Sequence, residues 1–184
     1  MAPNDDTLPQ LIAPLPQHLE LMMAAVTTYY DEACAALGKD LGRSYTEASS
    51  EMEVVKGEIE TQLANLKQWM APEPKATHML LTPGSTELRR DPFGVVLVIA
   101  PFNYPVNLGM VPLIGALAAG NTVVLKPSEQ TAACEKWFVE RLGKALPTNI
   151  LRVVAGEVPR TTVRSRPFQD SLPSPCPMQY TAPR

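Results

Sequence analysis

Asn103, and Lys126 with Glu129 three residues on, are the side chains in this sequence whose type and placement could do chemistry. Each group stands just past a run of aliphatic residues. A side-chain amide offers a neutral NH2 donor, and an ammonium beside a carboxylate offers a donor and an acceptor together. Set at the ends of two neighbouring strands, such groups could hold a ligand. Each also has a plainer reading. Asparagine tolerates strained turn backbones, where its side chain mimics a backbone hydrogen bond, and an ion pair on a solvated rim is worth little.

The elements that must position these groups are legible around them. Residues 94–100 are an unbroken run of Val, Leu and Ile after Gly94, the pattern of a strand covered on both faces. Residues 121–125 repeat that pattern about one crossover length later, with a helical stretch between. This is a βαβ unit. A right-handed crossover leaves the carboxyl ends of both strands on one edge of a parallel sheet, where ligands of α/β proteins bind. Asn103, Lys126 and Glu129 fall on that edge. Residues 130–146 then predict a second crossover helix, and residues 150–155 a third strand ending at Gly156.

The motifs at the strand ends are Pro101-Phe102-Asn103-Tyr104-Pro105 and Lys126-Pro127-Ser128-Glu129, flanked by DPFGVV at 91–96 and PLIGALAAGN at 112–121. In order and spacing they resemble the aldehyde dehydrogenase superfamily, whose first nucleotide-binding strand ends in Pro-Trp-Asn-(Tyr/Phe)-Pro and whose second ends in Lys-Pro-(Ser/Ala)-Glu. The lead-in YYDEACAALGKDLGR looks most like the compact branch that acts on fatty, aromatic or long-chain aldehydes. The resemblance implies an α/β fold: N-terminal helices, then the first βαβαβ part of a Rossmann-like nucleotide-binding domain, truncated. It also implies NAD(P)-dependent oxidation of aldehydes to carboxylic acids.

By that resemblance the Asn103 NH2 would stabilise the oxyanion formed when a thiolate attacks the aldehyde, and Lys126 and Glu129 would hold the adenosine ribose hydroxyls. Ile99, Ala100, Pro101 and Phe102 would line the cofactor groove, and Gly156 would let backbone approach the adenine. A carboxylate at the ribose repels a 2′-phosphate, so NAD is the expected cofactor, with NADP admitted if Glu129 swings aside. Phe102 replaces the usual tryptophan with another flat apolar wall. No G-x-G-x-x-G follows the first strand, in keeping with the family's different mode of cofactor binding.

Composition narrows the function classes. A net charge of −3 gives no electrostatic footprint for nucleic acid or an anionic membrane. The apolar runs are too short to span a bilayer, and the acidic opening MAPNDDTLPQ does not resemble a basic leader, so a cytoplasmic location is expected. Cys34, Cys134 and Cys176 have no paired spacing, and with only His18 and His78 beside them no zinc set is expected. Cys134 reads as a small packing residue.

The front of the chain reads as helical. Leu19, Met23, Val26, Tyr30, Ala33 and Leu37 predict one amphipathic helix over 17–37, with Gly38 as its stop. Ser44 and Glu47 stand as a capping box for a second, whose face runs from Met52 to Met70 until Pro72 and Pro74 end it. Both are expected simply to pack a core. Residues 78–90 predict a hairpin turning at Pro83-Gly84-Ser85; it reads either as a surface feature or, by the resemblance, as part of an arm that joins subunits into a homo-oligomer.

The resulting division is a helical region at 1–75, the putative arm at 76–92, a partial NAD-binding domain at 93–159 and a tail at 160–184. The tail holds five prolines without apolar periodicity, which predicts disorder. The resemblance ends at Pro159, and the change in composition there points to an altered reading frame, an alternative exon or a faulty gene model ahead of an evolved peptide. The nucleophile and general base that the resemblance implies would lie in the missing portion. Cys176, between prolines in SPCPM, lacks surroundings that would activate a thiol. Two functions remain open: an NAD(P)-dependent aldehyde dehydrogenase represented by its front part, and an inactive product that binds adenine nucleotide weakly or associates with full-length subunits.

Overall fold

The computed structural model describes residues 15–81 and 83–156. The tail at 160–184 and Cys176 lie outside the described residues. Helices α1 (Leu15–Thr28), α2 (Tyr30–Leu41) and α3 (Tyr45–Met70) come first. Strands β1 (Glu73–Lys75) and β2 (Thr86–Leu88) form a small antiparallel ribbon. Strand β3 (Val95–Ile99), helix α4 (Pro105–Ala118), strand β4 (Thr122–Lys126), helix α5 (Ala132–Trp137), a π-helical turn (Phe138–Leu142), the short α6 (Gly143–Ala145) and strand β5 (Leu151–Val153) complete the order.

Strands β3, β4 and β5 pair in that order, all parallel, with Val96 opposite Val123, Val98 opposite Leu125 and Leu125 opposite Val153. The βαβαβ reading holds. The expectation of strands covered on both faces does not hold for β3. Val98 is buried, but Val95, Leu97 and Ile99 on the opposite face are exposed. Among the described residues the helices lie on one side of the sheet, so one set of alternating residues meets them.

Helix α4 lies between the sheet and the N-terminal helices. Val106, Met110, Leu113, Ile114 and Leu117 are all buried, joining Met52, Val55 and Ile59 of α3 in one apolar cluster. Full burial of each such side chain contributes roughly 1.5–3 kcal/mol. The approach is tightest at Gly109, where a Cβ would meet Phe138 Cζ at 3.1 Å and the Ala100 Cβ at 3.2 Å. Helix α4 ends in a left-handed Gly120 with φ 84°. Gly120 N–H donates to Leu117 O at 2.9 Å and Asn121 N–H to Ala116 O at 3.1 Å, the double closure of a Schellman motif.

Three sequence expectations need correction. The first helix is not continuous over 17–37: it breaks at Tyr29, whose φ and ψ are −106° and 24°. Thr27, Thr28, Tyr29 and Tyr30 are β-branched and aromatic residues in succession, all poor helix formers. The stop is not Gly38, which lies inside α2, but Gly42, left-handed at φ 66°. The antiparallel ribbon does not lie within 78–90. Its first strand is Glu73–Lys75, and Met79–Leu81 form a 3-10 turn instead; the Thr77 hydroxyl accepts the Thr86 N–H at 3.0 Å and closes the intervening loop. The capping box at Ser44 and Glu47 is present as expected.

Asn121 ties the unit together. Its buried side chain accepts the Gly94 N–H at 3.0 Å and donates to Ala116 O at 3.0 Å, joining the entry of β3 to the end of α4. Asn121→Ala leaves the Gly94 N–H unsatisfied and removes the second of two bonds to Ala116 O, and is expected to lower stability by about 1–3 kcal/mol. Urea unfolding measures this. A loss below a few tenths of a kcal/mol would mean that solvent replaces both bonds.

Candidate functional site

The parallel ladder runs one step past β3, with Ala100 N–H donating to Lys126 O at 3.0 Å. There the chain leaves the sheet. Pro101, Phe102, Asn103 and Tyr104 form an exposed bend, and α4 begins at Pro105, whose fixed φ suits the first helical position. No hydrogen bond engages the Asn103 side chain among the described residues, while its carbonyl accepts from Arg43 Nη2 at 2.7 Å. A free amide on an exposed bend at the carboxyl edge of a parallel sheet is a donor open to a ligand.

Lys126 ends β4. Its stem is buried, and its ammonium forms an ion pair with Glu129. The Lys126 ammonium, and then the backbone N–H of Glu129 itself, hold the Glu129 carboxyl below the usual carboxylate range. The carboxylate is therefore charged at neutral pH, and that charge is lost only as pH falls through the lowered value. The third strand end turns at Gly156, whose φ of 121° favours glycine. Gly156 N–H donates to Glu135 Oε1 at 2.6 Å.

All the residues singled out in the sequence thus fall on one edge. Ile99 is 64% exposed and Phe102 51%, whereas Ala100 is buried beneath them. Cys134 is buried at the start of α5. Burial first, and then hydrogen bonding to Asp40, push its thiol far above the ordinary range. The Cys34 thiol is also pushed up, chiefly by burial. Both are packing residues, as the sequence suggested for Cys134.

The sequence reading missed the carboxylates and the arginine that reach this edge from the helical layer. Glu51 of α3 is 4% exposed and accepts the N–H groups of Val106 at 3.0 Å and Asn107 at 2.8 Å, in the first turn of α4. It also pairs with Arg43. Asp40 of α2 accepts from Ala133 N at 3.1 Å and Cys134 N at 2.8 Å at the start of α5. A signal was present. Glu51 interrupts an apolar stripe between Ala48 and Met52, and Asp40 is an acid near a helix C-terminus, where the helix dipole opposes it.

Residues 16–165 match the family model described as the aldehyde dehydrogenase family. The chain belongs to the aldehyde dehydrogenase family. Its match runs a few residues past Pro159. Over 122 residues it is 47% identical to aldehyde dehydrogenase family 3 member B2 of Mus musculus, a stretch that is 66% of this chain and 26% of that relative. Over 145 residues it is 41% identical to family 3 member H1 of Arabidopsis thaliana, 78% of this chain and 30% of that one. Among solved structures, a substrate-bound state of Staphylococcus aureus AldH matches with a TM-score of 0.80 and 32% identity, over 83% of this chain and 34% of that chain. The matched part of the chain thus spans 26–34% of the length of these relatives.

The buried thiols give a direct check on the site. Alkylation of Cys34 and Cys134 by iodoacetamide in the native chain is expected to be slow and to track unfolding, since the thiolate is the reactive form. Peptide mapping reads each site. Fast native labelling of Cys134 would overturn its assignment as a packing residue.

Proposed function

We propose that this chain forms the front of the nucleotide-binding unit of an NAD(P)-dependent dehydrogenase that oxidises aldehydes to carboxylic acids. The observation that carries the reading is the free amide of Asn103 on the same sheet edge as the Lys126–Glu129 pair. Asn103 would donate to the aldehyde oxygen as a thiolate adds to the carbonyl carbon and charge moves onto that oxygen. Lys126 and Glu129 would donate to and accept from the ribose hydroxyls of the cofactor. Ile99, Ala100, Pro101, Phe102 and Gly156 would line its groove. The donor set fits a dinucleotide, because an ordered ammonium and a charged carboxylate match vicinal hydroxyls and the backbone at Gly156 has no side chain to obstruct adenine. The nicotinamide group, when bound, supplies the hydride acceptor.

The charged Glu129 favours NAD over NADP, since a 2′-phosphate would meet like charge. A homo-oligomer using the β1–β2 ribbon as an arm, and a cytoplasmic location, belong to the same proposal. No helix among the described residues is long and apolar enough to cross a membrane.

A second reading is favoured by the thiols. Cys34 and Cys134 are buried with their thiols pushed up, which supports a 184-residue chain that is inactive alone. It would then bind adenine nucleotide weakly or associate with full-length subunits.

Two substitutions separate these roles. In a complete subunit carrying this segment, Asn103→Ala is expected to lower turnover by about 100- to 1,000-fold while leaving NAD affinity nearly unchanged, because the donor acts mainly on the developing oxyanion. Steady-state kinetics reads both, with the 184-residue chain as an inactive control. Unchanged turnover would return Asn103 to a turn residue. Glu129→Gln is expected to shift preference from NAD toward NADP. Equal constants for both cofactors before and after the change would remove Glu129 from the ribose site.

A further inference from the structure

We infer that Arg43 and Glu51 are positioning residues for Asn103, holding its backbone from both sides so that its side-chain amide projects from a fixed origin. This rests on the role proposed for Asn103. Arg43 Nη2 donates to the Asn103 carbonyl at 2.7 Å, and the guanidinium lies 4.2 Å from the centre of the Tyr104 ring, over its face. On the other side of Pro105, Glu51 takes the amides of Val106 and Asn107. The Arg43–Glu51 ion pair joins the two clamps.

The arrangement has the marks of a built device. A carboxylate buried in an apolar stripe is costly unless its lone pairs are filled, and Glu51 fills them with two helix N–H groups and a guanidinium. The positive end of α4 favours that charge. Arg43 is itself anchored: left-handed Gly42 turns the chain just before it, and the Ser44 capping box starts α3 just after. The guanidinium fork reaches Glu51 with one nitrogen and Asn103 with another, a geometry that a lysine ammonium cannot copy. An exposed loop that would otherwise move on its own is thereby tied to the helical core. Donor placement matters steeply, since a shift of about 1 Å can cost about 100-fold in rate.

The test uses the full 184-residue chain for structure and a complete subunit for catalysis. In the chain, Glu51→Gln is expected to raise hydrogen exchange at Val106 and Asn107 by about tenfold or more, because their bonds lose the carboxylate charge, and Arg43→Ala to raise it less, because Glu51 loses its ion-pair partner but keeps both amides. In 15N spectra the Asn103 side-chain NH2 signals should shift and broaden while those of buried Asn121 stay in place, with partial recovery in Arg43→Lys. Arg43→Lys also keeps the experiment informative if the harsher variants do not fold. In the complete subunit, Arg43→Lys is expected to lower kcat with KM for NAD unchanged, and to cause no further loss when added to Asn103→Ala. An unmoved Asn103 signal in Arg43→Lys, or losses that multiply in the double variant, would overturn the inference. A silent Asn103→Ala would overturn the oxyanion role itself, and the two failures are thus distinct.

Discussion

The rest of this structure depends on how the start of each crossover helix finds partners for its free N–H groups. A helix begins with amides that have no intrahelical acceptor, and burying them unpaired is costly. Here the acceptors come from another layer. Glu51 of α3 takes two amides of α4, and Asp40 of α2 takes two of α5. Neither α4 nor α5 has a side-chain cap of its own. The N-terminal helices thus supply more than apolar cover: their carboxylates fix where each crossover helix begins, and so where each strand's exit loop must run.

That dependence explains what was legible in the sequence. The aliphatic runs Val95–Ile99 and Val123–Leu125 announce parallel strands, and Ser44 with Glu47 announces a helix start, because each signal is local to its own element. The βαβ pattern places Asn103, Lys126 and Glu129 on one edge. Arg43, Glu51 and Asp40 were not legible as site residues, since their partners lie 60, 55 and 94 positions away in Asn103, Val106 and Cys134. Only their misfit with their own helices or loop hinted at a tertiary role.

The errors have the same cause in reverse. Apolar spacing over 17–37 fits one helix, but it says nothing about the weak propensity of the Thr27–Tyr30 run or about what the break allows. At the break the Tyr29 carbonyl accepts the Trp137 indole N–H at 3.2 Å, a bond that crosses from the helical layer to the end of α5. The ribbon was misplaced because a turn sequence at 83–85 fixes neither which residues precede it nor their register. Thr86–Leu88 found its partner beyond a longer loop, at the end of α3.

The one-sided sheet gives the candidate site its character. Val96 and Val98 share a face with Val123 and Leu125, against the helices, whereas Val95, Leu97 and Ile99 are exposed on the other face. Ile99 belongs at once to that open apolar face and to the polar edge, being the last residue of β3 and paired in register with Lys126. A flat ligand gripped at Lys126 and Glu129 would therefore meet an apolar strand end on its way toward Asn103. Such a surface suits a cofactor with polar ends and flat rings between, because the rings gain from leaving water while the hydroxyls and amide provide orientation. Ile99 thus brings an exposed apolar side chain beside the polar groups proposed to bind.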